Sequence, residues 1–157
     1  MIEAEILQTI QQILIAKTAL GLNERTCLVT LSEFVPPKIP RGGRYFVTIA
    51  PNRSDFPIDE QDEQQLTERM VVTITAYVRV DLDPVDTAAA ILLDTQRGLY
   101  MAKQEIIVSL AGKMLFDAAS RPLLREHLRV TFCSEPRYDT EQRLAWLSVD
   151  VQAVFDR

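Results

Sequence analysis

The sequence predicts an α+β fold over one domain, residues 1–157, with a largely antiparallel or mixed sheet of about four to five strands. An N-terminal helix and a long central helix are expected to pack on one side of this sheet. Three observations predict this class. Apolar residues recur at helical spacing near the start of the chain, they alternate with period two in a long central segment and again in the last segment, and a second helical pattern separates those two.

The first predicted element is a helix over residues 2–20, which Gly21 is placed to end. A strand is expected next over residues 27–34, with Cys27, Val29 and Leu31 on one face and two prolines after it. Residues 45–50 predict a second strand.

Two exposed loops of opposite charge flank this second strand, at 35–44 and 51–64. The first holds three prolines and two adjacent glycines, which exclude regular structure, and it carries Lys38, Arg41 and Arg44. The second is acidic, with only Arg53 to offset Asp55, Asp59, Glu60, Asp62 and Glu63.

The long strand is predicted over residues 66–80. Asp83 and Pro84 follow it and suit the cap and first position of a helix. That helical pattern could continue to residue 116, which is long for this domain, so a break is expected near Gly98. A short helix over 121–127 and two closing strands, 128–133 and 143–155, complete the predicted order.

Composition excludes several classes of protein. The chain has 157 residues, of which 47% are hydrophobic, enough for one core. A net charge of -5 and a pI of about 4.9 disfavour a surface that grips nucleic acid phosphates. Cys27 and Cys133 lie in apolar strand patterns and are expected to be buried thiols of a protein in a reducing compartment. Neither a signal peptide nor a membrane span is indicated.

No catalytic, cofactor or metal site is predicted. His127 is the single histidine, and no nucleophile stands at a spacing that would recruit it. Cys27, Cys133 and His127 lack the paired spacing of a zinc site. The acidic loop lacks the ligand order of an EF-hand. Gly42 and Gly43 between Arg41 and Arg44 could hold a small anion, but they match no phosphate-binding motif.

The two charged loops instead suggest self-assembly. Lys38, Arg41 and Arg44 of one copy could meet Asp55, Asp59, Glu60, Asp62 and Glu63 of the next, and such a head-to-tail contact closes into a ring when it is repeated around an axis. Exposed ion pairs contribute only about 0 to 1 kcal/mol each, so charge would orient the copies while apolar contacts or strand pairing supplied the affinity. The alternative is that both loops are simply solvated.

Over nearly its whole length the chain resembles the tail terminator proteins of long-tailed bacteriophages. The resemblance lies in the N-terminal helix, the Pro- and Gly-bearing loop 36–44, the acidic insertion, the strand 67–81 running into Asp83 and Pro84, and the closing strand pair. It implies a structural virion protein without catalytic residues.

The resemblance also implies a role and partners. The protein would form a ring, commonly a hexamer, that caps the tail tube and presents a surface to the neck. Its partners would be itself, tail tube protein, a neck or connector protein, and DNA that passes through the lumen without specific binding. It would be assembled in the host cytoplasm and would reside in the virion. The alternatives are a head completion or head-tail connector protein, and a small anion-binding module or enzyme that uses Arg41 and Arg44.

Overall fold

The computed structural model describes residues 1–31, 45–57, 66–79, 92, 98–139 and 141–157. Within these ranges the chain forms two helices, α1 (Ile2–Ala16) and α2 (Leu99–Leu110), and a short 3-10 turn (Thr18–Leu20). Six strands accompany them: β1 (Cys27–Val29), β2 (Phe46–Asp55), β3 (Thr67–Arg79), β4 (Arg129–Cys133), β5 (Arg137–Asp139) and β6 (Leu144–Asp156). The α+β class is confirmed.

The strands form one mixed sheet in the order β1-β2-β3-β6-β4, and β5 also pairs with β6. β1 is parallel to β2, and the other pairs are antiparallel. β3 and β6 pair without interruption, from Thr67 opposite Asp156 to Arg79 opposite Leu144. These two long central strands are the frame on which the rest of the molecule packs.

One face of the sheet packs against both helices to form the core. Alternate residues of β3 and β6 point to this face, as a half-buried strand pattern requires. α1 supplies Ile6, Ile10 and Leu14, and α2 supplies Leu99, Ile106 and Leu110, all fully buried.

The opposite face of the sheet carries hydroxyl, amide and aromatic side chains. Asn52 Nδ2 donates to Thr73 Oγ1 at 3.0 Å, and Thr73 Oγ1 donates to Asp150 Oδ1 at 2.8 Å. Thr75 and Ser148 share a hydrogen bond of 2.8 Å. Phe46, Tyr77 and Trp146 follow in register, with ring centroids 6.5 and 6.2 Å apart. The two faces of the sheet therefore differ in chemistry.

Several boundaries predicted from the sequence are wrong. Among the described residues the sheet has six strands, where the sequence predicted about four to five, because β5 is an additional short strand on β6. β2 continues through Pro51 to Asp55, so 51–55 is strand and not loop. β1 ends at Val29 and Leu31 is 94% exposed, so the strand predicted over 27–34 does not continue through residues 30 and 31. Residues 32–34 lie outside the described residues.

The helices differ from their predictions in the same way. α1 ends at Ala16 instead of residue 20, and residues 121–127 form no helix. The break at Gly98 is confirmed, since its extended backbone directly precedes Leu99. The predicted cap at Asp83 and Pro84 lies outside the described residues. Among the residues described, no helix has the length and apolarity required to cross a bilayer.

Candidate subunit interface

Of the eight interface residues predicted from the sequence, the structure describes Asp55. The other seven, Lys38, Arg41, Arg44, Asp59, Glu60, Asp62 and Glu63, lie outside the described residues. Asp55 is the last residue of β2, directly opposite Arg69 of β3. Its Oδ2 atom lies 3.8 Å from Arg69 Nη1, and its side chain is 65% exposed. Asp55 therefore already has a cationic neighbour in its own chain.

The cysteines and the histidine do not come together. Cys27 begins β1 and Cys133 ends β4, and these two strands lie at opposite edges of the sheet. Four strand spacings separate these strands, roughly 19 Å at about 4.8 Å each. Burial raises the pKa of Cys27 to about 12, so its thiol is unreactive at neutral pH. His127 is exposed just before β4. Within the described part of the chain, no group of His, Cys, Asp or Glu is arranged to hold a metal ion.

α2 is apolar on two faces. Its inner face carries the core residues Leu99, Ile106 and Leu110. Its outer face forms a shallow groove of about 320 Å³, which we call the α2 groove, lined by Tyr100, Lys103, Gln104, Ile107 and Val108. Their spacing of i, i+3, i+4, i+7 and i+8 places them on one helical stripe. Tyr100 is 44% and Val108 58% exposed, so this second stripe is an apolar surface in contact with solvent.

Lys103 gives the α2 groove a polar border. Its Nζ atom lies 5.8 Å from the centroid of the Tyr100 ring, a cation–π contact. The charge thus stays over the aromatic face while the aliphatic part of the lysine extends the apolar lining.

The segment predicted as a short helix instead contributes to a tight hairpin, residues 115–123, which we call the Phe116 hairpin. Phe116 and Pro122 form an antiparallel bridge, and Leu123 N donates to Leu115 O at 2.8 Å. Leu115 and Leu123 are buried in the core and anchor both ends. Since neighbouring residues of an extended strand point to opposite sides, Phe116 is directed outward, and it is 50% exposed.

Asp117 holds the turn of this hairpin together. Its Oδ1 atom accepts hydrogen bonds from Ala119 N at 2.9 Å and Arg121 N at 2.8 Å, and its Oδ2 atom accepts one from Arg121 Nε at 2.9 Å. The backbone bond from Arg121 is the main cause that lowers the pKa of Asp117. An exposed Phe at the base of a turn fixed in this way is presented in a defined position.

The outer strands of the sheet bear on whether copies could associate by strand pairing. At β1, Gln11 Nε2 donates to Cys27 O at 2.7 Å, and Cys27 N donates to Asn23 O at 2.9 Å. The backbone N–H and C=O of Cys27 are therefore both bonded within the chain. β4 has a register shift between Val130 and Phe132, which interrupts a regular edge. Of the two sources of affinity left open by the sequence, the described residues favour apolar side-chain contacts over strand pairing.

Sequence reasoning missed both apolar surfaces. The spacing of Tyr100, Ile107 and Val108 was a readable signal, since it adds a second apolar stripe to a helix that already has one. Phe116 carried no signal of its own, because Leu115 beside it is equally apolar and buried.

The comparisons with known proteins bear on the fold. No protein-family model matches the chain, and no curated protein does. One solved structure that matches is described as the virion of a native gene transfer agent particle. A chain of that particle aligns over 99% of this chain and 98% of its own length, with a TM-score of 0.56 and 15% sequence identity. The chain shares its fold with that virion chain. At this identity the likeness is one of fold, and it extends from end to end in both chains.

Proposed function

We propose that this chain is a structural virion protein that forms a ring on the end of a phage tail tube. The ring would stop tube polymerisation and present a surface for attachment of the head or neck. The observation that carries the proposal is the end-to-end fold match to a chain of a virion particle, because it agrees with the resemblance to tail terminators found in the sequence. Because the match spans the full length of both chains, it supports a shared overall architecture and not merely a shared fragment.

The ring would act mechanically. A tube grows when each end presents a face that binds the next subunit, and a ring that covers this face without reproducing it ends growth. The partners are therefore further copies of this chain, tail tube protein on one side and a neck or connector protein on the other. Assembly in the host cytoplasm and residence in the virion follow from this role. In this proposal the chain has a structural role and no catalytic one.

Charge is compatible with the passage of DNA through the ring. The net charge of -5 would repel phosphates on average, and a lumen that does not attract DNA does not retard it. DNA would therefore pass without specific binding. The subunit number that we propose, six, is the one common among tail terminators.

Two measurements on the purified chain test the ring. Light scattering coupled to size exclusion, at high micromolar concentration, should give the mass of a closed oligomer, and negative-stain images should show a central hole. A strict monomer that has no affinity for tail tubes would contradict the proposal.

A polymerisation assay separates a terminator from a connector. Added in small amounts to polymerising tube protein, the chain should shorten the tubes and appear at one tube end. A head completion or connector protein would leave tube length unchanged and would bind portal or adaptor rings instead. Bovine serum albumin at equal concentration is the control for non-specific effects on tube length.

A further inference from the structure

The Phe116 hairpin and the α2 groove are two apolar surfaces of one chain, and each suits the other. Phe116 is not among the residues that line the α2 groove of its own chain. An apolar cavity of about 150 Å³ is sufficient to take up benzene, so a groove of about 320 Å³ has room for a phenyl ring. Phe116 is half exposed on the hairpin, and the shallow α2 groove is bordered by Tyr100 and Val108, which are also exposed.

We propose that Phe116 of one copy inserts into the α2 groove of the next copy and anchors the subunit contact of the ring. This inference rests on the proposed function and identifies its interface. Because the hairpin and the groove are different surfaces, the contact is heterologous, and every copy uses its hairpin once and its groove once. Such a contact repeats from copy to copy, and it closes into a ring when the rotation between copies divides a full turn.

The chemistry of the two surfaces supports this pairing. Tyr100, Ile107 and Val108 offer apolar atoms, and an aromatic ring beside Tyr100 can adopt an edge-to-face arrangement. Asp117, next to Phe116, is already bound to Arg121, so insertion of Phe116 does not bury an unpaired carboxylate. The hydrogen-bonded turn fixes the hairpin before binding, which lowers the entropy lost on association.

The exposed area indicates an anchor and not a complete interface. A large aromatic side chain offers about 150 to 250 Å² when fully exposed. At the observed exposures of 50% for Phe116 and 44% for Tyr100, the two aromatic side chains together supply roughly 200 Å². A stable interface buries at least about 1,200 Å² in total. The Phe116 contact is therefore one part of a larger interface.

The test uses one variant on each surface and a matched control. Phe116→Ala removes the inserted ring, and Val108→Glu places a charge in the groove at an exposed helical position that suits Glu. Phe132→Ala is the control, because Phe132 is 60% exposed but lies on β4, outside both surfaces. We expect each of the first two variants to weaken association at least 30-fold, the range of an interface anchor, while Phe132→Ala leaves the ring intact. All three should keep the thermal midpoint of the monomer fold.

Mixing the two defective variants gives a second, independent readout. Phe116→Ala retains an intact groove and Val108→Glu retains an intact hairpin, so an equimolar mixture contains one working contact per pair. We expect 1:1 heterodimers that do not grow further, although each variant alone is monomeric. Absence of heterodimers at concentrations well above that of wild-type ring formation would contradict the pairing of these surfaces.

The outcomes separate this inference from the proposed function. If the wild type forms rings and both variants also do, the hairpin contact is wrong and the ring proposal stands. If the wild type is a monomer without affinity for tubes, the ring proposal fails and the contact fails with it.

Discussion

Among single residues, Glu68 shows how a buried charge depends on one partner. Glu68 is buried, Arg157 Nε donates to its Oε2 atom at 2.5 Å, and Arg157 also donates to Glu3 of α1. The hydrogen bond to Glu68 is the main cause that raises the pKa of Arg157. We predict that Arg157→Met destabilises the fold, because it leaves the buried carboxylate of Glu68 without its partner. Urea unfolding at pH 7 measures the loss.

A second substitution provides the control for this prediction. Glu68→Gln in the Arg157→Met background removes the unpaired charge while it keeps the shape of the side chain. The double variant should recover part of the lost stability. If it is no more stable than Arg157→Met alone, the carboxylate was not the source of the loss.

Cys27 predicts a pH dependence with a definite sign. Burial raises its pKa from 9.0 to about 12, so above pH 9 the unfolded state loses the thiol proton that the folded state keeps. The stability that this group contributes is therefore complete below pH 9 and falls as the pH rises toward 12. Each unit inside this window removes about 1.4 kcal/mol. Urea unfolding at pH 8 and pH 10.5 gives the free energy of unfolding at each pH. This free energy should fall more between the two pH values in the wild type than in Cys27→Ala.

At the scale of elements, the Phe116 hairpin depends on Asp117. We predict that Asp117→Ala raises the hydrogen-exchange rates of the Ala119 and Arg121 amides at least tenfold, since both lose their acceptor. Asp117→Asn should be milder, because its amide oxygen still accepts both bonds. The contribution of Asp117 is present above pH 3.8, its ordinary pKa, and is lost as the pH falls through its lowered folded value. Unchanged exchange in Asp117→Ala would contradict this role.

The elements that could be predicted from the sequence are those with long, regular patterns. β3 and β6 alternate over 13 residues each, and this alternation identifies both as strands with one apolar face. The Phe116 hairpin has no such period, because its turn depends on one carboxylate that binds two backbone amides.

The length of β2 also depends on its local surroundings, since it continues past Pro51. β1 pairs with it only from Val47 to Ile49, and a strand without a second neighbour tolerates proline.

At the scale of the whole molecule, the candidate site could be predicted only in part. Charge is visible in a sequence, so the opposed loops stood out, and Asp55 is the member that the structure describes. Exposure of an apolar side chain is not visible, because it depends on what packs beside it. Leu115 and Phe116 are adjacent, and one is buried while the other is half exposed. The proposed anchor therefore needed the fold, while the proposed steering charges did not.

These two components predict different kinetics of ring assembly. Exposed charges act over about 10 Å at 0.1 M salt, so the charged residues predicted to steer association would accelerate encounter and would be screened as salt rises. Buried apolar contacts mainly set the dissociation rate. We predict that raising NaCl from about 50 to 500 mM slows association roughly tenfold, while dissociation changes less than about twofold. Stopped-flow light scattering after dilution and remixing measures both rates.

Two variants then assign each rate to its surface. Reversing Lys38, Arg41 and Arg44 to Glu should invert the salt dependence of association, because the new carboxylates would repel the acidic residues of the next copy and added salt screens that repulsion. Phe116→Ala should keep that salt dependence and accelerate dissociation, because its contact is apolar. If Phe116→Ala instead slowed association with normal dissociation, the hairpin would act in encounter and not as an anchor. If charge reversal left the salt slope unchanged, the loops would be solvated surface, and the affinity of the ring would lie in its apolar contacts alone.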